Sequence, residues 1–143
     1  MKALFNLLFI IVFSLSDQLN GQNAEDDVVG LWYNEEKTGK IEIFEKDDRF
    51  FGKITWVKLE AGDNGLDNEN PDPNLRTQPL VGLLILKNFE YDDGGYENGT
   101  IYDPENGKTY SCVMKLENPD KLYVRGYIGI SLIGRTTYWT RIK

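Results

Sequence analysis

The chain is 143 residues long, the size of one domain, and sets 23 acidic side chains against 16 basic ones for a net charge of −7. That balance argues against nucleic acid and anionic lipid headgroups as partners, because both repel it. There is no histidine and one cysteine, which removes Ser-His-Asp and Cys-His catalysis, zinc sites built on histidine, and any intrachain disulfide.

The chain opens with Lys2 and an apolar run from Ala3 to Leu15, broken only by Asn6 and Ser14. That run falls short of the ~18–20 residues that span a bilayer as a helix. The polar stretch Asp17-Gln18-Leu19-Asn20-Gly21-Gln22 follows at once. A basic start, a short apolar core and then small and polar residues is the layout of a secretory signal. We expect a signal peptide over residues 1–21, with cleavage after Gly21 preferred to cleavage after Ser16, and one all-β domain over residues 22–143. The one cysteine, Cys112, lies far from that junction, so no lipoprotein anchor is expected. The expected product is exported, periplasmic or secreted, with no stable membrane anchor. Cys112 itself sits in an alternating apolar stretch and reads as a buried small hydrophobe.

Strand signals follow a short acidic leader, Glu25-Asp26-Asp27. Val28 to Asn34 is the first candidate strand. Lys40 to Glu45 alternates at period two, the pattern of a half-buried strand. Asp47-Asp48 turns the chain, and Arg49 to Leu59 alternates again, with Phe50, Gly52, Ile54 and Trp56 on one face. From Glu60 to Pro79 almost nothing is apolar, and a loop of that length in a compact domain is usually functional or mobile. Strands resume over Leu80–Tyr91 and Tyr96–Asp103, then turn through Asp103-Pro104-Glu105-Asn106-Gly107, where Asn-Gly supplies the positive φ of a tight turn. Lys108–Leu116, Lys121–Ile130 and Arg135–Ile142 complete the count. About eight strands without an amphipathic helix predict a single antiparallel barrel, because closure removes exposed edges.

Several pieces run in a characteristic order: Gly30-Leu31-Trp32, Gly52-Lys53-Ile54, Asn70-Pro71-Asp72-Pro73-Asn74-Leu75-Arg76 and Pro79-Leu80-Val81-Gly82-Leu83. They continue as Gly99-Thr100-Ile101-Tyr102-Asp103-Pro104, Gly107-Lys108-Thr109-Tyr110, Val124-Arg125-Gly126, Gly134-Arg135-Thr136 and Trp139-Thr140-Arg141. Through the whole mature chain this order resembles the small exported bacterial proteins grouped as domain of unknown function 2147. The resemblance implies a lipocalin-like barrel and brings no assigned activity. Gly30-Leu31-Trp32 with Arg141 is also similar to the lipocalin-type superfamily, where a first-strand tryptophan packs under a late arginine. It implies that Trp32 and Arg141 form a structural plug, a cation–π contact closing one barrel end.

The chemistry open to such a barrel is narrow. No glycine-rich phosphate loop occurs, nothing in the acidic spacing selects a catalytic pair, and no catalytic residue or cofactor is assigned. Asp63, Asp67, Glu69 and Asp72 offer oxygen ligands to calcium, but an EF-hand register started at Asp63 puts Gly65 third and Asn68 sixth. A solvated loop, with Arg76 as its internal ion pair or cap, is the simpler expectation. An eight-stranded barrel either fills with side chains or holds one small molecule. On the late strand, Leu122, Val124, Gly126 and Ile128 form the better interior face. If the opposite face turns inward, Arg125 becomes a carboxylate clamp between Tyr123 and Tyr127, and Trp56 and Arg76 complete the candidate ligand contacts. The expected function is therefore non-catalytic binding of a small apolar or amphipathic ligand in the cell envelope. The alternative is an envelope interaction module, contacting a partner protein through the acidic loop or the apolar Gly129–Gly134 segment. A cavity of ~300 Å³ or more with apolar walls separates the two readings.

Overall fold

Alternating side chains give each strand one apolar face, and eight such faces share one interior. The computed structural model describes residues 24–130 and 132–143; the signal peptide expected over residues 1–21 lies outside them. The strands are β1 (Gly30–Tyr33), β2 (Gly39–Lys46), β3 (Arg49–Val57), β4 (Leu84–Asp92), β5 (Gly95–Asp103), β6 (Lys108–Asn118), β7 (Lys121–Tyr127) and β8 (Gly134–Arg141). Each pairs antiparallel with its neighbour in sequence, and β1 pairs with β8 to close the barrel through Trp32↔Arg141 and Tyr33↔Thr140. The connections at one end are tight. Asp47 and Asp48 have φ of 53° and 61°, and Asp93 and Gly94 have 45° and 86°, the paired positive φ of hairpin turns that match strand twist.

Three segments depart from the sequence expectation. Ala24–Val28 is a 3-10 turn, so the first strand begins at Gly30. Leu80–Leu83 stays in the long loop: Gly82 takes φ 95°, and the amides of Leu80 and Gly82 donate to the carbonyls of Gly65 and Ile54. Strand β7 ends at Tyr127, after which the Ile128 amide donates to the Ile133 carbonyl across a short loop.

A fourth departure sits in β3. Lys40 pairs with Trp56 while Ile41 pairs with Ile54, leaving Thr55 as the extra residue of a bulge. A bulge reverses parity beyond it. Phe50, Gly52 and Ile54 therefore face inward as alternation predicts, but Trp56 turns out and is 39% exposed, with the Lys40 Nζ 5.3 Å from its ring centroid.

The barrel interior divides along its axis. Toward the tight-turn end it is filled by Trp32, Ile43, Phe50, Leu86, Phe89 and Tyr96, all fully buried or nearly so. Phe50 and Tyr96 meet edge to face at 5.1 Å, a favoured aromatic geometry. The Tyr96 hydroxyl donates to the Glu25 carbonyl at 2.8 Å and fastens the 3-10 turn over this end.

Cys112 lies in the same filled half with no exposed surface. Burial pushes its thiol up to about 12, so the folded chain keeps a proton that the unfolded chain releases. Stability is thus intact below the unfolded thiol value of about 8.5 and declines above it, by up to about 1.4 kcal/mol per pH unit. Urea midpoints measured from neutral pH toward about 12 should fall less steeply for Cys112→Ala than for the natural chain. A thiol reagent should leave Cys112 unmodified until the protein unfolds.

Candidate functional site

The filled end is sealed by one arginine. The Arg141 guanidinium stands 4.3 Å from the Trp32 ring centroid. Its Nε donates to the Pro119 carbonyl at 2.7 Å, its Nη1 to the Val29 carbonyl at 2.9 Å, and its Nη2 to the Asp27 carbonyl. The Trp32 indole in turn donates to the Val28 carbonyl at 2.9 Å. Gly30 makes the approach feasible: it holds φ 141°, and a Cβ there would collide with Arg141 Nη1. One cation thereby ties β8 to the leader, the start of β1 and the β6–β7 turn.

The opposite half is open. A cavity of about 800 Å³ descends from the mouth, within the range that holds a small ligand. Its deep walls are Ile41, Ile54, Ile85, Ile101, Val124 and Trp139. Thr137, on the inward side of β8 between Trp139 and Arg135, also lines it. The mouth is built by the four connections at this end, 34–38, 58–83, 104–107 and 128–133, and carries most of the polar side chains.

The longest connection is organised around a buried carboxylate. Asp67 has no exposed surface. It accepts from the Tyr102 hydroxyl at 2.7 Å, the Asn70 amide at 2.8 Å and the Gln78 amide at 3.1 Å. Its own backbone N–H donates to the Gln78 carbonyl at 3.0 Å. Tyr102 belongs to β5, so this bond pins the loop to the barrel wall. Burial, and then the bond to Asp67, holds the Tyr102 phenol above the usual tyrosine range. Gly107 admits the same loop at a second point: it has φ 70°, and a Cβ there would overlap the Glu69 carbonyl.

These positions revise the candidate residues. Of the five ligand contacts considered, Tyr127 alone borders the cavity. Leu122 and Val124 are buried inward, which turns Tyr123 and Arg125 to the outer face. There Tyr123 stacks edge to face on Tyr138 at 5.9 Å, and Arg125 Nη1 donates to Thr136 Oγ1 at 3.0 Å. Trp56 is outside because of the β3 bulge. Arg76 is outside because it caps the loop, donating from Nε to the Asn70 carbonyl at 2.8 Å. The four acidic side chains considered for calcium are not brought together; among the described residues no three acidic, cysteine or histidine side chains converge as a metal site. Asp67 instead faces three donors from its own chain.

The cavity walls had a signal in the sequence. If Arg141 faces the interior above Trp32, then Trp139, Thr137 and Arg135 follow inward at steps of two. The Asp67–Tyr102 contact had none, since Tyr102 lies 35 residues further along the chain.

The sequence profile of the family described as an uncharacterised protein conserved in bacteria, DUF2147, matches residues 30–141. Among curated proteins, none matches. Among solved structures, protein HP1028 from the human pathogen Helicobacter pylori, described as belonging to the lipocalin family, superposes with a TM-score of 0.72 at 21% identity. The match covers 80% of this chain and 82% of that one. At that identity the likeness speaks to fold: both are lipocalin-like barrels.

Proposed function

Since this chain belongs to the DUF2147 family of uncharacterised bacterial proteins, whose description carries no activity, we propose its function from the cavity: it is a carrier that holds one small amphipathic molecule in the open half of the barrel. The observation that carries this reading is the cavity of about 800 Å³ with aliphatic and indole walls beneath a polar mouth. Water in such a pocket lacks partners at the walls, so an apolar ligand body replaces it favourably. The signal-like opening supports an exported carrier, working in the envelope or beyond it.

A neutral, environment-sensitive dye such as Nile red tests the reading. The expected result is saturable binding at one dye per chain. The double variant Ile101→Trp/Thr137→Trp places two indoles in the cavity and should weaken binding about tenfold or more, a loss of about 1.4 kcal/mol, while the melting transition stays cooperative. Unsaturable binding, or unchanged binding in a folded double variant, would defeat the proposal.

A second reading draws on one observation. Ile128, Ile130, Leu132 and Ile133 are 62–83% exposed on the β7–β8 connection, and exposed apolar groups at this density are suited to a partner surface. Replacing Ile130 and Leu132 by serine should leave dye binding intact and abolish any such contact.

A further inference from the structure

The carboxylates at the cavity mouth bear on which amphipathic molecule the barrel takes. Glu35 and Glu36 stand on the β1–β2 connection, Glu60 and Asp63 on the β3–β4 loop, and Asp103 and Glu105 at the β5–β6 turn; all six line the cavity. Among the described residues, only two cations, Lys58 and Arg135, line it with them. Both already face carboxylates of the same mouth: Lys58 Nζ is 3.5 Å from Glu60, and Arg135 Nη2 is 3.4 Å from Glu36. The remaining four carry a net negative field above an apolar shaft, and low-dielectric walls focus such a field along the opening. Glu35, Asp63 and Asp103 each accept one backbone N–H, which leaves further lone pairs for a donor from outside.

Acidic side chains alone would be a solvated surface. Here they ring the entrance of an apolar cavity, so whatever enters with its body down leaves its head among them. A fatty-acid carboxylate in that position meets four uncompensated like charges, whereas an ammonium meets complementary ones. We propose that the ligand is a cationic amphiphile, an apolar chain or ring bearing an amine or quaternary ammonium, seated body-down with its charge at the mouth. This rests on the carrier reading and specifies its ligand class.

Isothermal titration of the folded protein with three probes of equal chain length separates the possibilities: dodecyltrimethylammonium, 1-dodecanol and laurate, each below its micellar concentration and each competed with Nile red. Expected at low salt is one-to-one binding with the cation about tenfold or more tighter than laurate and dodecanol between them. Molar salt should shrink the gap, because exposed charges are screened. The triple variant Glu35→Gln/Asp63→Asn/Glu105→Gln keeps acceptor groups in place and should bring the cation and laurate close together, with dodecanol affinity changing less than either. Laurate binding as tightly as the cation at low salt, or a preference that survives in the triple variant, overturns the inference and leaves the carrier reading standing. If none of the three probes binds at one per chain, the carrier reading falls and the inference with it.

Discussion

Replacing Trp32 by alanine is expected to lower the unfolding free energy by about 3–5 kcal/mol, the usual range for removing a fully buried large aromatic. Native domains hold only about 5–15 kcal/mol in all, so the variant should populate the unfolded state measurably at ambient temperature. Three losses combine. The indole has no exposed surface, its deletion leaves a void at the sealed end of the barrel, and the Val28 carbonyl loses the donor that reached it at 2.9 Å. Arg141 also loses the ring beneath it. Trp32→Phe separates these contributions: it restores most of the packing and an aromatic face but not the N–H, and should cost about 1–2 kcal/mol for the orphaned carbonyl. Urea denaturation of both variants gives the comparison. Equal costs for the two would mean that the indole hydrogen bond, not packing, secures this end.

Replacing Asp67 by alanine is expected to cost about 2–4 kcal/mol, because three donors lose one charged acceptor and each buried orphan is penalised by about 1–3 kcal/mol before local relaxation. The loop can let water reach Gln78, which is only partly buried, and this keeps the sum below the arithmetic maximum. The effect should be regional as well as global. Through its hydrogen bond to Asp67, Tyr102 ties the β3–β4 loop to β5, so amide exchange over residues 58–83 should accelerate more than exchange in β5 to β8. Tyr102→Phe removes one donor and should cost about 1–2 kcal/mol. In a double-mutant cycle the pair should couple, since each single change already breaks the shared bond. Additive effects would show that the loop is held elsewhere, with the close approach of Glu69 to Gly107 as the next contact to test.

Much of the architecture was legible because its cause is local. Period-two alternation set the faces of β2, β6 and β7, and Asn106-Gly107 declared its turn through the φ it must adopt. Trp32 and Arg141 were paired through resemblance, and the structure sets them in cross-strand register and 4.3 Å apart. Trp56 was misplaced for an equally physical reason. Its face follows from a bulge that exists only when β3 is matched against β2, and a single extra residue there reverses everything after it. Leu80 to Leu83 read as strand because it is apolar, yet its amides are bound to Gly65 and Ile54 and it serves the loop instead.

By itself, then, the sequence determined the number of strands, their inward faces away from the β3 bulge, the tight turns and the absence of histidine chemistry. All of these depend on residues within a few positions of one another or on composition. Only the tertiary structure decided that the interior is packed in one half and open in the other, because that depends on summed side-chain volumes from eight strands against one barrel radius. It alone decided that the buried carboxylate of the acidic loop binds Tyr102, and that six carboxylates from three separate connections meet at one mouth. Closure of the barrel brings those connections together, and no local pattern along the chain encodes the meeting.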